Sequence, residues 1–445
     1  MIHLEENLMG PLCKAASALA LASALGLAGC GGGASSASSP SIMLLAANDG
    51  GRGIELWKTD GTANGTSLVK DINLGAGNSF PGGSGLFPSE FVFFNGAWFF
   101  SADDGTGPEL WKSDGTGATV RVTAVVSSPR ELTVLGNALY FSADGGLSGR
   151  ELWKTDGTGA GTVRVGAVSL VSGLTVFNNV LYFSASDGIT GIELWKSDGT
   201  PGGTVLVKDI NPMGDSSPSG FKVFNNALYF SANDGSTGFE LWKTDVAGTV
   251  QVMDINLNGD SSPSGFTVFN NALYFSADDG ITGFELWKTD VAGTVQVKNI
   301  NPTADSSPHG FMVFDNALYF SADDGGVAGA ELWKTDAAGT VRVGAVSLVS
   351  GLTVFNNALY FSASDGVAAV ELWKTDVAGS TVQVKGINNT TLGAPNAFTV
   401  LNNALLFSAD DGVSGRELWR TDGTPGGTVQ VKDICPGRCD GLLFQ

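Results

Sequence analysis

Glu-Leu-Trp occurs nine times along the 445 residues, with its Glu at positions 55, 109, 151, 193, 240, 285, 331, 371 and 417, a spacing of about 45. A fixed recurrence of this kind means that one supersecondary unit is copied along the chain. Such a unit buries its apolar surface only by stacking on its neighbours. Helical repeats of similar length would need apolar residues every 3.6 positions, and that periodicity is missing. In the sixth unit, residues 265–269 (GFTVF) read as a short strand, Asn270-Asn271 as a type I′ turn, and residues 272–276 (ALYFS) as a second strand. A turn cluster at 278–283 (DDGITG) leads into a third strand, 284–290 (FELWKTD), and 293–298 (GTVQVK) supplies a fourth.

Adjacent residues of a strand point to opposite faces, and in Leu286-Trp287 and Leu273-Tyr274-Phe275 both are apolar. Both faces of each sheet must therefore be covered, as they are when sheets stack face to face. The fold predicted is all-β, a β-propeller of four-stranded antiparallel blades. Nine blades are expected, with eight as the alternative count because nine exceeds the common range. The Asn-rich hairpin recurs eight times, from Asn95-Gly96 to Asn402-Asn403, against nine ELW strands. The first unit opens directly on its second strand at 42–45 (IMLL), and residues 441–445 (GLLFQ) end the chain in the register of a first strand. These five residues are expected to complete the first blade and close the ring, which removes exposed sheet edges.

Five units read Glu-Leu-Trp-x-x-Asp-Gly-Thr in full, beginning at Glu55, Glu109, Glu151, Glu193 and Glu417. In the other four, Asp245, Asp290, Asp336 and Asp376 are followed by Val-Ala or Ala-Ala, which shortens the outgoing turn. On these motifs the chain resembles the bacterial ELWxxDGT repeat family over about residues 42–445. The resemblance implies an exported, repeat-built protein and assigns no ligand or activity. Residues 161–188 and 339–366 differ at one position, Val180 against Ala358, which points to block duplication.

Residues 15–27 (AASALALASALGL) form an apolar run of 13 after Lys14. At 1.5 Å per residue this is too short for a hydrocarbon core of about 30 Å, so it reads as the h-region of a signal peptide. The Leu27-Ala28-Gly29-Cys30 that follows resembles a bacterial lipobox, in which the Cys thiol is acylated and the chain is cleaved just before it. The organisation expected is a lipoprotein signal peptide over 1–29, a Gly/Ser-rich tether over 30–41 and the propeller over 42–445. Glu5 and Glu6 lie where a signal n-region is basic, so translation is expected from Met9. By resemblance to Gram-negative sorting, the lack of Asp after Cys30 favours the outer membrane or cell surface. Membrane contact is expected through the lipidated Cys30 alone, since one residue with several acyl chains anchors stably.

A net charge of −20 rules out a nucleic-acid binder, which needs a positive surface to neutralise phosphates. A 43% apolar content excludes global disorder. Nine of the ten Trp (Trp57, Trp111, Trp153, Trp195, Trp242, Trp287, Trp333, Trp373 and Trp419) occupy one repeated position beside a Leu. They are read as structural core rather than as stacking platforms for sugars. The Glu of each ELW and the following Lys (Arg420 in the last unit) are read as a repeated ion pair within or between blades.

Ser276-Ala-Asp278-Asp279-Gly280 and its relatives resemble the start of an Asp-box, but the aromatic residue comes too late, and turn capping explains the Asp and Ser. Asp254, Asn256 and Asn258 match the first half of a calcium loop whose twelfth position, Gly265, supplies no carboxylate; calcium is a weak candidate and no other metal or cofactor is expected. Cys435 and Cys439 are expected to form a local disulfide in an exported chain. Past the signal segment His309 is the sole His, so Ser-His-Asp and Cys-His chemistry have one base to draw on.

No catalytic residue is assigned. The function expected is a non-enzymatic, lipid-anchored surface propeller, monomeric, that binds or scaffolds an extracellular protein or glycan. The alternatives are an extracellular polysaccharide hydrolase or lyase that uses loop carboxylates, and a purely structural surface protein.

Overall fold

The computed structural model describes residues 42–80, 91–146, 149–326, 329–367, 369–388 and 393–442. The signal segment, Cys30, the tether, and residues 443–445 of the expected closing strand lie outside them. The described residues form strands, turns and loops, with no helix among them.

From the second unit on, each ELW segment is the third strand of its unit; in the first it is the second of the three described. In the sixth, Ser264–Phe269, Ala272–Asp278, Phe284–Asp290 and Gly293–Lys298 hydrogen-bond in chain order as one antiparallel sheet. Phe275 lies opposite Trp287, which in turn lies opposite Gln296. The hairpin turn places Asn270 and Asn271 at φ 45° and 57°, the left-handed pair that a type I′ turn requires and that Asn tolerates.

Turn length sets where the pairing of the third and fourth strands begins. Across the two-residue Ala-Ala turn of the seventh unit, Asp336 pairs directly with Gly339, and the strand continues from Gly339 to Phe355. It serves two units and joins them into a seven-stranded sheet. The nearly identical residues of the third unit follow the longer Asp-Gly-Thr turn, so pairing starts only at Lys154 with Val163. There the chain divides into Val163–Arg164 and Ser169–Phe177.

The cores lie between sheets. The Leu of one unit packs with the Trp of the next: Leu56 with Trp111, Leu110 with Trp153, Leu152 with Trp195 and Leu194 with Trp242. Leu241 with Trp287, Leu286 with Trp333, Leu332 with Trp373 and Leu372 with Trp419 continue the series. Leu418 of the ninth unit packs with Trp57 of the first in the same way. A backbone bond repeats beside several of the cores. Asn233 N donates to Ser216 O, Asp278 N to Ser261 O, Asp323 N to Ser306 O, and Asn48 N of the first unit to Gly441 O of the last. The first sheet has three described strands, Met43–Asn48, Ile54–Thr59 and Ser67–Lys70.

Trp287 is 6% exposed, so Trp287→Ala leaves a void that its neighbours fill only in part. Urea denaturation should show a loss of about 3 to 5 kcal/mol. A variant that unfolds at the wild-type midpoint would remove the indole from the core.

Candidate functional site

The carboxylates of the repeat are buried, and the ion pair expected between Glu and Lys, within or between blades, does not form among the described residues. Residues three apart on a strand point to opposite faces. Glu55, Glu193, Glu240, Glu285, Glu371 and Glu417 are fully buried. In these units the fourth strand runs into an Ile-Asn or Ile-Cys loop that folds over the carboxylate. Ile72, Ile210, Ile255, Ile300, Ile387 and Ile434 each donate their N–H to it at 2.6–2.8 Å. Ser79, Ser216, Ser261 and Ser306 add a hydroxyl.

The cationic side chains reach forward to the next unit. Nζ of Lys58, Lys112, Lys154 and Lys374 donates to the Gly carbonyl of the following Asp-Gly-Thr turn, at Gly115, Gly157, Gly199 and Gly423. Arg420 of the ninth unit donates to Gly61 of the first. Where the next turn is Val-Ala or Ala-Ala, Lys243, Lys288 and Lys334 pair with Asp245, Asp290 and Asp336 on their own strands.

Units two, three and seven lack the Ile-Asn loop. In each, an Arg occupies the fourth-strand position opposite the Trp and neutralises the Glu: Arg121 on Glu109 at 2.7 Å, Arg164 on Glu151 at 3.2 Å and Arg342 on Glu331 at 3.2 Å. A buried carboxylate needs donors or a countercharge, and the repeat supplies one or the other.

Burial pushes the Glu55 carboxyl up to about 6, with the Ser79 hydroxyl and the Ile72 amide pulling the other way. Burial raises Glu417 further, to about 7, against the amides of Ile434, Cys435 and Gly441 and reinforced by Asp433. Glu193, Glu240, Glu285, Glu331 and Glu371 are raised for the same primary reason.

The open site lies on the first strands. Those of units three to seven together line a cavity of about 670 Å³. Each first strand is the edge of its sheet, so one row of its backbone groups is unpaired by any ladder. The strands share a bulge with a left-handed residue, Gly173, Gly220, Gly265 and Gly310 at φ 66–73°. Glycine is needed there twice over, because a Cβ on Gly173 or Gly265 would come within 2.7–2.8 Å of the Phe221 or Phe311 ring of the following unit. Unit three departs from this pattern, with Glu131 in the bulge at φ 57°. Its carboxylate is exposed and accepts the Leu174 N–H of the next strand at 3.3 Å. The second departure is Lys222, which stands where the flanking units carry Thr175 and Thr267. Neither residue was expected as a site; the signal available was a lone acid in a column of glycines and one alanine, and a lone base in a column of threonines and one methionine.

The other residues singled out are placed as follows. The indoles of Trp57, Trp111, Trp153, Trp195, Trp242, Trp287, Trp333 and Trp419 are 6–7% exposed and Trp373 is half-buried. Cys435 and Cys439 are joined in a disulfide. Asn256 spends its amide on its own loop, accepting from Asn258 N and donating to Asp260 O, while Asp254 lies beside Glu240 and raises it. The three therefore do not present a calcium shell. Among the described residues, the acids that approach one another closely are Asp323, Asp324 and Glu331, and Arg342 already bridges Asp324 and Glu331. His309 is exposed against the Ser307 carbonyl.

No family model matches the chain, and no curated protein does. Among solved structures it is similar to a prolyl endopeptidase, at 12% identity and TM-score 0.41, covering 65% of this chain and 48% of that one. It is also similar to a puromycin hydrolase, at 14% identity and TM-score 0.39, covering 74% and 59%. A puromycin-hydrolyzing peptidase of Mycobacterium tuberculosis matches at 11% identity and TM-score 0.40, covering 72% and 57%. The chain thus spans about half to three-fifths of the length of the structures it matches. All are enzymes, and all are peptidases or hydrolases of puromycin. These neighbours stand against the expectation of a non-enzymatic binding or scaffolding protein. At this identity the likeness concerns the β-propeller-like sheet arrangement, and the activities belong to those proteins.

Two stability measurements check the carboxylates. Arg164→Leu installs the residue type of units one and four but leaves Glu151 without countercharge, and should cost about 3 kcal/mol. Gln251→Leu, at the same position of a loop-capped unit, should cost no more than about 1 kcal/mol. A pKa raised by folding means that the folded state holds the proton more tightly, so the stability is complete below the ordinary value of 4.5 and is lost as pH rises through 6 and 7. The urea midpoint should fall from pH 4.5 to 7.5, with a shallower slope in Glu417→Gln. A midpoint that rises over this range would reverse the sign.

Proposed function

We propose that residues 42–445 form a closed nine-bladed β-propeller that admits peptides to its axis as the substrate-receiving domain of a peptide-processing protein. Support for the ring comes from three contacts that recur between successive units and also relate the ninth to the first: Leu418 with Trp57, Asn48 N with Gly441 O, and Arg420 with Gly61. Support for the ligand class comes from the cavity. Its walls are sheet edges, with the Phe221, Phe266 and Phe311 rings set against glycines of the preceding strands. Main-chain hydrogen bonding along an edge, with apolar side pockets, is how extended peptides are recognised. The ELWxxDGT resemblance and a lipid anchor at Cys30 extend this reading to an exported, membrane-tethered protein of the bacterial envelope.

The single observation that carries the proposal is that the two charged residues of this cavity's lining, Glu131 and Lys222, both stand where the neighbouring units carry neutral ones. Incubation of the full mature chain with an internally quenched tetrapeptide library, with binding of the unlabelled library measured in parallel, tests it. Binding with cleavage supports the reading. Binding without cleavage removes the processing activity, and absence of both overturns the reading.

A further inference from the structure

Resting on the peptide reading of the axial cavity, we propose that Glu131 and Lys222 select the two ends of a short peptide, Glu131 receiving its free α-ammonium and Lys222 its free carboxylate. The repeat shows what each position does when it has no such task. At the bulge, glycine serves the corresponding position of units four to seven, whereas Glu131 holds a left-handed backbone that glycine would hold without strain. Packing does not repay that strain. The residue is exposed, and where Phe221 covers Gly173, only Leu174 follows Glu131.

One carboxylate oxygen accepts the Leu174 amide, which fixes the group against the wall; among the described residues the other has no hydrogen-bond partner. At Lys222 the flanking units carry threonines whose hydroxyls turn back on their own strands, Thr175 to Gly173 O and Thr267 to Gly265 O. An ammonium cannot be absorbed in that way. Lys222 is half-buried, and neither it nor Glu131 is in an ion pair among the described residues.

The two charges are opposite, borne by units three and five, and share one concave wall whose remaining lining is apolar or neutral. A ligand with one charge meets one of them and leaves the other to be desolvated unpaired, whereas a zwitterion satisfies both. The chemistry therefore selects short peptides with both termini free over internal segments of longer chains.

The test uses the full mature chain and the tetrapeptide library in three forms: free, N-acetylated and C-amidated. Acetylation should weaken binding at least tenfold in the wild type and have no effect in Glu131→Gly. Amidation should behave likewise with Lys222→Thr. Both substitutions install the repeat's own residue, so each variant should fold, and Glu131→Gly should melt at or above the wild-type temperature as the strained backbone is relieved. Capped peptides that bind as tightly as free ones would overturn the end-group assignment while leaving peptide admission intact. A Glu131→Gly variant that weakens free and acetylated peptides equally would also overturn it, marking the residue as structural. Failure of every form to bind would remove the peptide reading itself.

Discussion

A sheet with apolar side chains on both faces cannot present either face to water, and everything else in this molecule follows from that. Leu and Trp sit side by side on the third strand of every unit and point in opposite directions, so each sheet carries half of two cores and completes neither. The unit has no stable existence by itself. Its partner is always the adjacent copy, and the indole of Trp287 meets Leu241 and Tyr229 of the unit before it. Stability in such an array is a sum over interfaces rather than over domains.

Burying the sheets also buries the ends of the third strands, and there the repeat carries an acid. The carboxylate acts as a clasp for the chain leaving the unit, because its oxygens satisfy amides that the loop turns inward. Where the loop has changed, the clasp is kept and its partner is exchanged for a guanidinium. That exchange in three of nine copies is an internal experiment. The acid is retained whatever neutralises it, as expected when removing one member of a buried set costs more than replacing the other.

Much of the architecture was legible in the sequence. Strand order, the Asn turns and the two-face burial follow from period, turn chemistry and the adjacency of Leu and Trp, and the third and fourth strands of the sixth unit fall where the residues predict them. The ionic reading failed because other partners take both groups: Glu285 accepts from Ile300 and Ser306, and Lys288, on the opposite face, pairs with Asp290. The rule that corrects it was present in the same letters, since Arg121, Arg164 and Arg342 appear only in copies without Ile-Asn. Glu131 and Lys222 were missed for a different reason. Their significance is positional, and it emerges once the bulge aligns Glu131 with glycines and the edge strands converge on one cavity.

The forward reach of the basic side chains gives the array a grammar. Lys154 is satisfied by a carbonyl that exists because the fourth unit ends in Asp-Gly-Thr, and Lys288 by an acid of its own because the seventh does not. Where such a carbonyl follows, the copy is matched to its successor rather than to a common template. Units five and six can trade places without breaking a bond of this kind, whereas recombination that set unit eight ahead of unit six would take Gly423 from Lys374 and leave it Asp376 of its own strand. Duplication in blocks, as the twin segments 161–188 and 339–366 record, carries internal junctions along intact and leaves only the outer seams to be repaired by selection.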